Sequence, residues 1–240
     1  MTTTANPTYV IIGAGRVASH FTHYFNLLKL PFNNWSRAQD PAGKDLSTLV
    51  QGDVRVLLAI KDSAIEEFVS MHPCLHGKLC LHLSGHLSTP LAYGAHPLFT
   101  FGSDLYELSA YQHIPFILET GGPSFETLLP GLKNQHYTID KSLKPLYHSL
   151  CVLSGNFSCL LWQKFFSELE KTLHLPKEVA FSYLQQIANN LQKDSESALT
   201  GPLVRGDKVT IATNLKALEG DPFQGVYQAF VDMYEKTKQK

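Results

Sequence analysis

In the segment Thr8-Tyr-Val-Ile-Ile-Gly-Ala-Gly-Arg-Val-Ala18, an apolar β-rich run leads directly into a glycine-rich turn. The run predicts a buried strand, and the amphipathic residues after the turn predict a helix. Gly13 permits a tight turn, Gly15 permits close approach of a pyrophosphate, and the small Ala18 lets the helix pack closely on the sheet. The segment therefore predicts a dinucleotide-binding turn of the Rossmann type.

Short apolar runs recur after this turn and alternate with helical or loop segments. This alternation is typical of the α/β class with a doubly wound parallel sheet. After about residue 140 the pattern becomes helical, and the stretch 143–169 is apolar almost all round, which predicts a helix buried at the centre of a domain. We expect a Rossmann domain over residues 1–140 and an all-helical substrate and dimerisation domain over residues 141–240. The predicted later strands are Phe32–Trp35, Val54–Ile60, Leu79–Leu83 and Ile114–Leu118.

The end of the second predicted strand bears on the choice of cofactor. NAD-binding turns are followed about 20 residues later by an acid that holds the ribose 2′-hydroxyl. Here the sequence has Ser36 and Arg37, and the first acid, Asp40, follows the expected end of the strand. A hydroxyl and a guanidinium suit a 2′-phosphate, so we expect NADP(H). The alternative is that Arg37 is an ordinary solvated loop residue.

Composition excludes several other classes of protein. The net charge is −1 and no basic stripe is visible, which argues against nucleic acid as a partner. Residues 1–7 lack the features of a signal peptide, and no apolar stretch reaches the roughly 20 residues of a membrane span. The four cysteines form no C-x-x-C pair, so a reduced, cytoplasmic protein is expected. The pairs His72/His76 and His82/His86 are four residues apart, but Pro73 lies within the first and the second spans a strand end, so neither has the helical geometry of a zinc motif. No metal is therefore expected, and no G-x-S-x-G elbow appears.

Candidate substrate-binding groups follow the predicted strands, since ligands of open α/β sheets bind beyond the carboxyl ends of the strands. Three polar clusters fall there, at 61–63, 84–86 and 96–98. Pro97 fixes the chain beside His96, which makes this histidine a candidate proton donor. Asp62 could instead cap a helix that begins near residue 63.

The long apolar helix carries a second set of candidates. His148, Val152 and Asn156 are spaced four apart, so they share one face. The histidine could deliver a proton and the amide could hold a carbonyl group, or both could be satisfied buried polar groups. In the loop 200–207, Asp207 is expected to cap the next helix, and Arg205 could bind a substrate carboxylate.

These arguments give two predicted sets of site residues. The catalytic set is His148, Asn156, His96 and Arg205. The cofactor-binding set is Gly13, Gly15, Arg16, Val17, Ser36, Arg37, Ile60, Lys61, Ser84 and Gly85.

Taken together and in order, five stretches resemble a known family. They are Gly13–Ala18, Leu83–Gly85, Gly94–Phe101, the helix with His148 and Asn156, and Thr200–Asp207. The chain is similar over nearly its whole length to bacterial Rossmann-like oxidoreductases whose C-terminal half is a domain of unknown function. These proteins are similar in plan to pyrroline-carboxylate reductase, the β-hydroxyacid dehydrogenases and ketopantoate reductase.

The resemblance implies a helical C-terminal domain that often dimerises, and hence a homodimer. It also implies reduction of a small 2-oxo acid by NADPH, with ketopantoate as the leading substrate. Ketopantoate reductases use a lysine and an asparagine on one helix; here Asn156 matches the asparagine, but Val152 stands one turn before it. The alternatives are an imine reductase of the pyrroline-carboxylate type and a non-catalytic NADP(H)-sensing protein.

Overall fold

A single sheet of seven strands organises the first part of the molecule in a computed structural model that describes residues 7–40 and 44–238. Each run of branched apolar residues predicted to be a strand forms one. The strands are β1 (Thr8–Ile12), β2 (Phe32–Trp35), β3 (Val54–Leu58), β4 (Leu79–His82), β5 (Tyr93–Pro97), β6 (Phe116–Glu119) and β7 (His136–Ile139).

The strand order is β2-β1-β3-β4-β5-β6-β7, and the first five strands are mutually parallel. This confirms the predicted Rossmann-type sheet. The sequence did not reveal β5 and β7 as strands, and β6 runs antiparallel to β5. His82 pairs with Gly94, so β5 continues three residues past the end of β4. His96 therefore projects beyond the carboxyl end of β4.

Helices cover both faces of the sheet, and each face has its own apolar core. Alternate residues of β1 enter different cores: Tyr9 and Ile11 pack with Phe21 and Phe25 of the first helix, and Val10 and Ile12 pack on the opposite face. The helices between strands are α1 (Arg16–Leu27), α2 (Lys44–Leu49), α3 (Ile65–Met71), α4 (Leu108–Gln112) and α5 (Phe125–Leu128).

The prediction of one buried helix over 143–169 is wrong in two respects. The segment consists of α6 (Lys144–Cys151), a π-helical turn (Val152–Asn156) and α7 (Phe157–Lys171). Large apolar side chains on it are also about half exposed. An all-round apolar pattern does not say how completely each face of a helix is covered.

The chain divides into two compact units, Met1–Leu161 and Trp162–Lys240. The described residues of the second unit, 162–238, contain the rest of α7, a short 3₁₀ helix (Lys177–Ala180) and four further α-helices, which agrees with the predicted helical character. Asp207 caps α10, since its carboxylate accepts a hydrogen bond from the Thr210 amide, as predicted. The four helices are α8 (Phe181–Lys193), α9 (Pro202–Arg205), α10 (Lys208–Ala217) and α11 (Phe223–Lys238).

Two findings concern the predicted location of the protein. Within residues 7–40 and 44–238, no helix combines the length and apolar character needed to cross a bilayer. All four cysteines are free. The stretch used to argue against a signal peptide lies, apart from Pro7, outside the described residues.

Candidate functional site

A groove of about 680 Å³ runs along the carboxyl ends of β1, β3 and β4. It unites segments far apart in the sequence: the glycine turn, the end of β2, the residues after β3 and the residues after β4. Nine of the ten predicted cofactor-binding residues line it, and Gly85 follows the last of them. The nine are Gly13, Gly15, Arg16, Val17, Ser36, Arg37, Ile60, Lys61 and Ser84.

The glycine turn is built so that the chain can reverse beside β3. Gly13 has φ = 133°, and its amide donates to the Trp35 carbonyl. A Cβ at Gly13 would overlap the carbonyl oxygen of Ala59. Gly15 precedes α1 with no side-chain cap, so the first amides of this 12-residue helix keep their hydrogens free beside the groove. Free amides and the helix dipole make this a binding site for a phosphate anion.

The end of β2 presents a cation and no free acid. Arg37 is exposed and lines the groove. Ser36 is buried, and its hydroxyl donates a hydrogen bond to the side-chain carbonyl of Gln39. Asp40 is engaged elsewhere, because its carboxylate accepts hydrogen bonds from the Trp35 indole (2.9 Å) and the Asp45 amide (2.8 Å). With the nearest acid engaged, the charge at this end of the groove favours a 2′-phosphate over a bare ribose hydroxyl.

At the other end of the groove, Asp62 joins the loops after β3 and β4. Its carboxylate accepts a hydrogen bond from the Ser84 hydroxyl at 2.6 Å and lies 3.2 Å from Nδ1 of His86. Asp62 makes no side-chain cap, which corrects the alternative considered from the sequence. The Ser84 hydroxyl also accepts from the amides of His86 and Leu87. Ser84 thus holds the shape of this loop through three hydrogen bonds.

His82 ends β4 next to this cluster and is fully buried. Its Nδ1 accepts a hydrogen bond from the Ser84 amide at 3.3 Å, and Nε2 has no hydrogen-bond partner among the residues that the structure describes. Burial, followed by the charge of Lys144, lowers the pKa of His82 to about 4. His82 is therefore neutral at neutral pH.

His96 reaches the site from β5 and meets Tyr147 of α6. Its Nδ1 lies 2.6 Å from the Tyr147 hydroxyl. Burial lowers the pKa of His96 to about 4, with His148 and Lys144 acting in the same direction and Asp62 opposing. At neutral pH His96 is therefore an uncharged imidazole that is hydrogen-bonded to the Tyr147 hydroxyl.

His148, one residue further along α6, completes the cluster. Its ring centroid is 5.5 Å from that of His86 and 6.1 Å from that of His96. A Cβ at Gly85 would lie 2.5 Å from Nδ1 of His148 and 3.2 Å from Nε2 of His96. Nδ1 of His148 is buried and has no hydrogen-bond partner within residues 7–40 and 44–238. Two predicted catalytic histidines thus converge on a glycine that was predicted to bind the cofactor.

The other two predicted catalytic residues belong to other elements of the chain. Asn156 is exposed at the end of the π-helical turn, a kind of turn that occurs frequently at functional sites. Arg205 is exposed at the end of α9, in the second unit.

A comparison with protein families matches the part of the chain that supplies α6 and most of the second unit. Residues 116–234 match the family described as a domain of unknown function (DUF2520). The chain carries a DUF2520 domain. This confirms the family resemblance inferred from the sequence. No curated protein sequence matches the chain.

Several solved structures are similar to the chain over nearly its whole length. A Bacteroides fragilis protein assigned as an NADP oxidoreductase has a TM-score of 0.75 at 21% identity, over 97% of this chain and 99% of that one. Pyrroline carboxylate reductase of Plasmodium falciparum, with NADP bound, has a TM-score of 0.57 at 15% identity, over 98% and 99%. An imine reductase of Myxococcus stipitatus, in complex with NADP+, has a TM-score of 0.60 at 16% identity, over 97% and 94%. At these identities the likeness establishes the fold.

Sequence reasoning missed three site residues within the DUF2520 domain. Tyr147 was not among the predicted site residues, although its position next to His148 in the sequence could have indicated it. Glu119 and Lys144 form an ion pair in which both side chains are 4% exposed. No sequence signal joins them, because their meeting depends on the reversed direction of β6.

Proposed function

We propose that the chain binds NADP(H) in the groove and uses it to reduce a small carbonyl compound. One observation carries the proposal: a single groove joins the glycine turn, the uncapped N-terminus of α1 and the Ser36–Arg37 pair, and it ends at the loop of Gly85. Its volume of about 680 Å³ lies within the usual range of small-molecule sites, roughly 300–1,000 Å³.

The cofactor's chemistry when bound is the transfer of a hydride. The chain's own residues would bind the cofactor, orient the substrate and supply a proton. The amides at Gly15, Arg16 and Val17 would hold the pyrophosphate, and Arg37 would pair with the 2′-phosphate. Ile60, Lys61, Ser84 and Gly85 would line the other half of the cofactor.

We assign delivery of the proton to His148, which lies against Gly85 with one unpartnered buried nitrogen. His96 is the other candidate from the sequence, but as a neutral imidazole it is a weak acid. This favours His148. Asn156 as the group that orients the substrate and Arg205 as its carboxylate partner stay predictions from the sequence.

For the substrate we propose a 2-oxo acid, with ketopantoate tested first. The second candidate is a cyclic imine, which is supported by the named activities of two similar structures, pyrroline carboxylate reductase and imine reductase. Both substrates need a hydride on carbon and a proton on the neighbouring oxygen or nitrogen, so the same histidine cluster suits either.

We keep residues 1–140 as the cofactor-binding part and residues 141–240 as the substrate and dimerisation part, in a cytoplasmic homodimer. The half-exposed apolar side chains of α6 and α7 support the dimer, because a second copy would cover them. Light scattering during gel filtration tests the dimer: a monomer at micromolar concentration would contradict it.

The decisive experiment follows the loss of NADPH absorbance with a panel of 2-oxo acids and cyclic imines. Rapid oxidation with one class identifies the reaction. His148→Ala should then abolish most turnover while NADPH still binds, and His76→Ala, at an exposed position before the first residue of β4, serves as the matched control. Tight NADPH binding without oxidation across the panel would favour the sensor alternative.

A further inference from the structure

The Tyr147 hydroxyl has two neighbours that could accept its hydrogen. It is hydrogen-bonded to Nδ1 of His96 at 2.6 Å, and the Cys151 thiol is the other neighbour. An imidazole nitrogen is a good acceptor, whereas a thiol is a weak one. Burial also raises the pKa of Tyr147 well above its ordinary value, so the hydroxyl keeps its proton. The hydroxyl therefore donates to Nδ1 of His96.

This bond fixes where His96 carries its own proton. A neutral imidazole has one N–H, and if Nδ1 accepts, the hydrogen must be on Nε2. Nε2 is the nitrogen that faces Gly85, at 3.2 Å from the position of a Cβ there. Burial lowers the pKa of His96 and so keeps the ring neutral, and His148 and Lys144 also disfavour a positive charge, while Asp62 compensates only in part. The N–H of His96 thus faces Gly85, the residue after Ser84, which lines the groove.

A buried ion pair sets the position of Tyr147. Lys144 begins α6, and its ammonium group binds both the Glu119 carboxylate and the Leu87 carbonyl. Tyr147 follows three residues later, one turn along the same helix. The anchor therefore fixes the first turn of α6 against β6 and against the loop that carries Ser84 and Gly85.

We propose that Tyr147 is a positioning residue that holds His96 in the Nε2–H tautomer, so that His96 donates a hydrogen bond to the reacting oxygen or nitrogen of the substrate. The second half of this statement rests on the proposed function. In this role His96 polarises the substrate and keeps its proton, as a neutral histidine can in other enzymes.

The first test needs no turnover. Long-range ¹H–¹⁵N spectra of the full-length protein labelled in histidine report the tautomer of each ring, and His96→Gln identifies the His96 signals. We expect the Nε2–H tautomer at neutral pH, and a mixture of tautomers in Tyr147→Phe. Tyr137→Phe, which removes an exposed hydroxyl from β7, should change nothing. An Nδ1–H tautomer or a charged ring in the unsubstituted protein would overturn the proposal.

The second test separates a hydrogen-bond donor from a proton donor. The amide of His96→Gln can place an N–H near the original Nε2, whereas His96→Asn places its amide near Nδ1. If His96 only donates a hydrogen bond, His96→Gln should retain at least about tenfold more kcat than His96→Asn, a difference of about 1.4 kcal/mol. Equal and complete loss in both variants, with NADPH binding intact, would overturn this role.

The two proposals fail in distinguishable ways. The expected tautomer without turnover of any substrate leaves the positioning by Tyr147 standing and removes the reductase proposal. Turnover with the wrong tautomer does the reverse. If Tyr147→Phe fails to fold, the proposal is still tested by the tautomer of His96 in the unsubstituted protein and by the comparison of His96→Gln with His96→Asn.

Discussion

Nζ of Lys144 lies 2.5 Å from Oε1 of Glu119, and both side chains are almost completely shielded from water. The pair connects β6 to the first turn of α6, and Gly94 leaves the space that it occupies: a Cβ there would lie 2.6 Å from both charged atoms. A buried charge that loses its partner is far more costly than an exposed one.

Glu119→Gln should therefore lower the free energy of unfolding by about 3–5 kcal/mol, as is typical when one partner of a buried ion pair is removed. Urea denaturation measures the change. Lys141→Gln is the matched control, because Lys141 is 52% exposed and 3.8 Å from the same carboxylate. Its loss should stay below about 1 kcal/mol. Equal effects of the two variants would contradict the assignment of Lys144 as the partner that matters.

Gly15→Ala should weaken NADPH binding at least about tenfold and leave the fold intact, because the glycine at this position serves the approach of the pyrophosphate. Gly15 has φ = −83°, and nothing lies within 4 Å of a Cβ placed there. The substitution should therefore not destabilise the fold. Fluorescence titration and thermal melting measure the two effects. Gly225→Ala, also in open space but on α11, is the control and should bind NADPH normally. Normal binding by Gly15→Ala would contradict the cofactor site.

Arg37→Ala should discriminate between the two nicotinamide cofactors. Losing one charge-assisted hydrogen bond costs about 1.5–3 kcal/mol, so the Kd for NADPH should rise about tenfold or more. The Kd for NADH should change little, because NADH has no 2′-phosphate. Titrations of the same variant with both cofactors provide the internal control. A parallel loss of both affinities would show that Arg37 acts through the general shape of the groove.

Acid should destabilise the protein through His82. Its folded-state pKa of about 4 lies below the ordinary 6.5, so between these values the unfolded chain binds the extra proton. The contribution of His82 to the free energy of unfolding is fully present above pH 6.5. It falls as the pH drops toward 4, by about 1.4 kcal/mol per pH unit at most.

Urea midpoints measured from pH 7 to pH 4.5 test this prediction. His82→Asn keeps an acceptor for the Ser84 amide and should flatten the slope by about one proton. His76→Asn changes an exposed histidine and should leave the slope as it is. An unchanged slope in His82→Asn would mean that other groups carry the acid sensitivity.

How much of the fold could be predicted depends on how local each signal is. The strand–turn–helix of residues 8–27 was predictable because the apolar run, the glycine spacing and the helical periodicity all lie within 20 residues. β5 was not recognised as a strand, because Gly94, Ala95 and Pro97 have weak strand propensity and only the pairing with neighbours makes them one.

The site shows the same division. The groove was predictable because ligands of open α/β sheets sit at the carboxyl ends of the strands. The meeting of His96 with Tyr147 was not, since it requires the offset of β5 past β4 and the anchoring of α6 by Lys144. Contacts between residues about 50 apart leave no periodic trace in a single sequence.

The position of Trp35 makes the groove directly observable by spectroscopy. Its ring is buried at the wall of the groove with its indole nitrogen on Asp40, while Trp162, the other of the two tryptophans, belongs to the second unit. A chain with Trp162→Phe would keep a single emitter beside the groove. Energy transfer from this indole to a reduced nicotinamide would then report occupancy of the groove in real time, without any knowledge of the substrate.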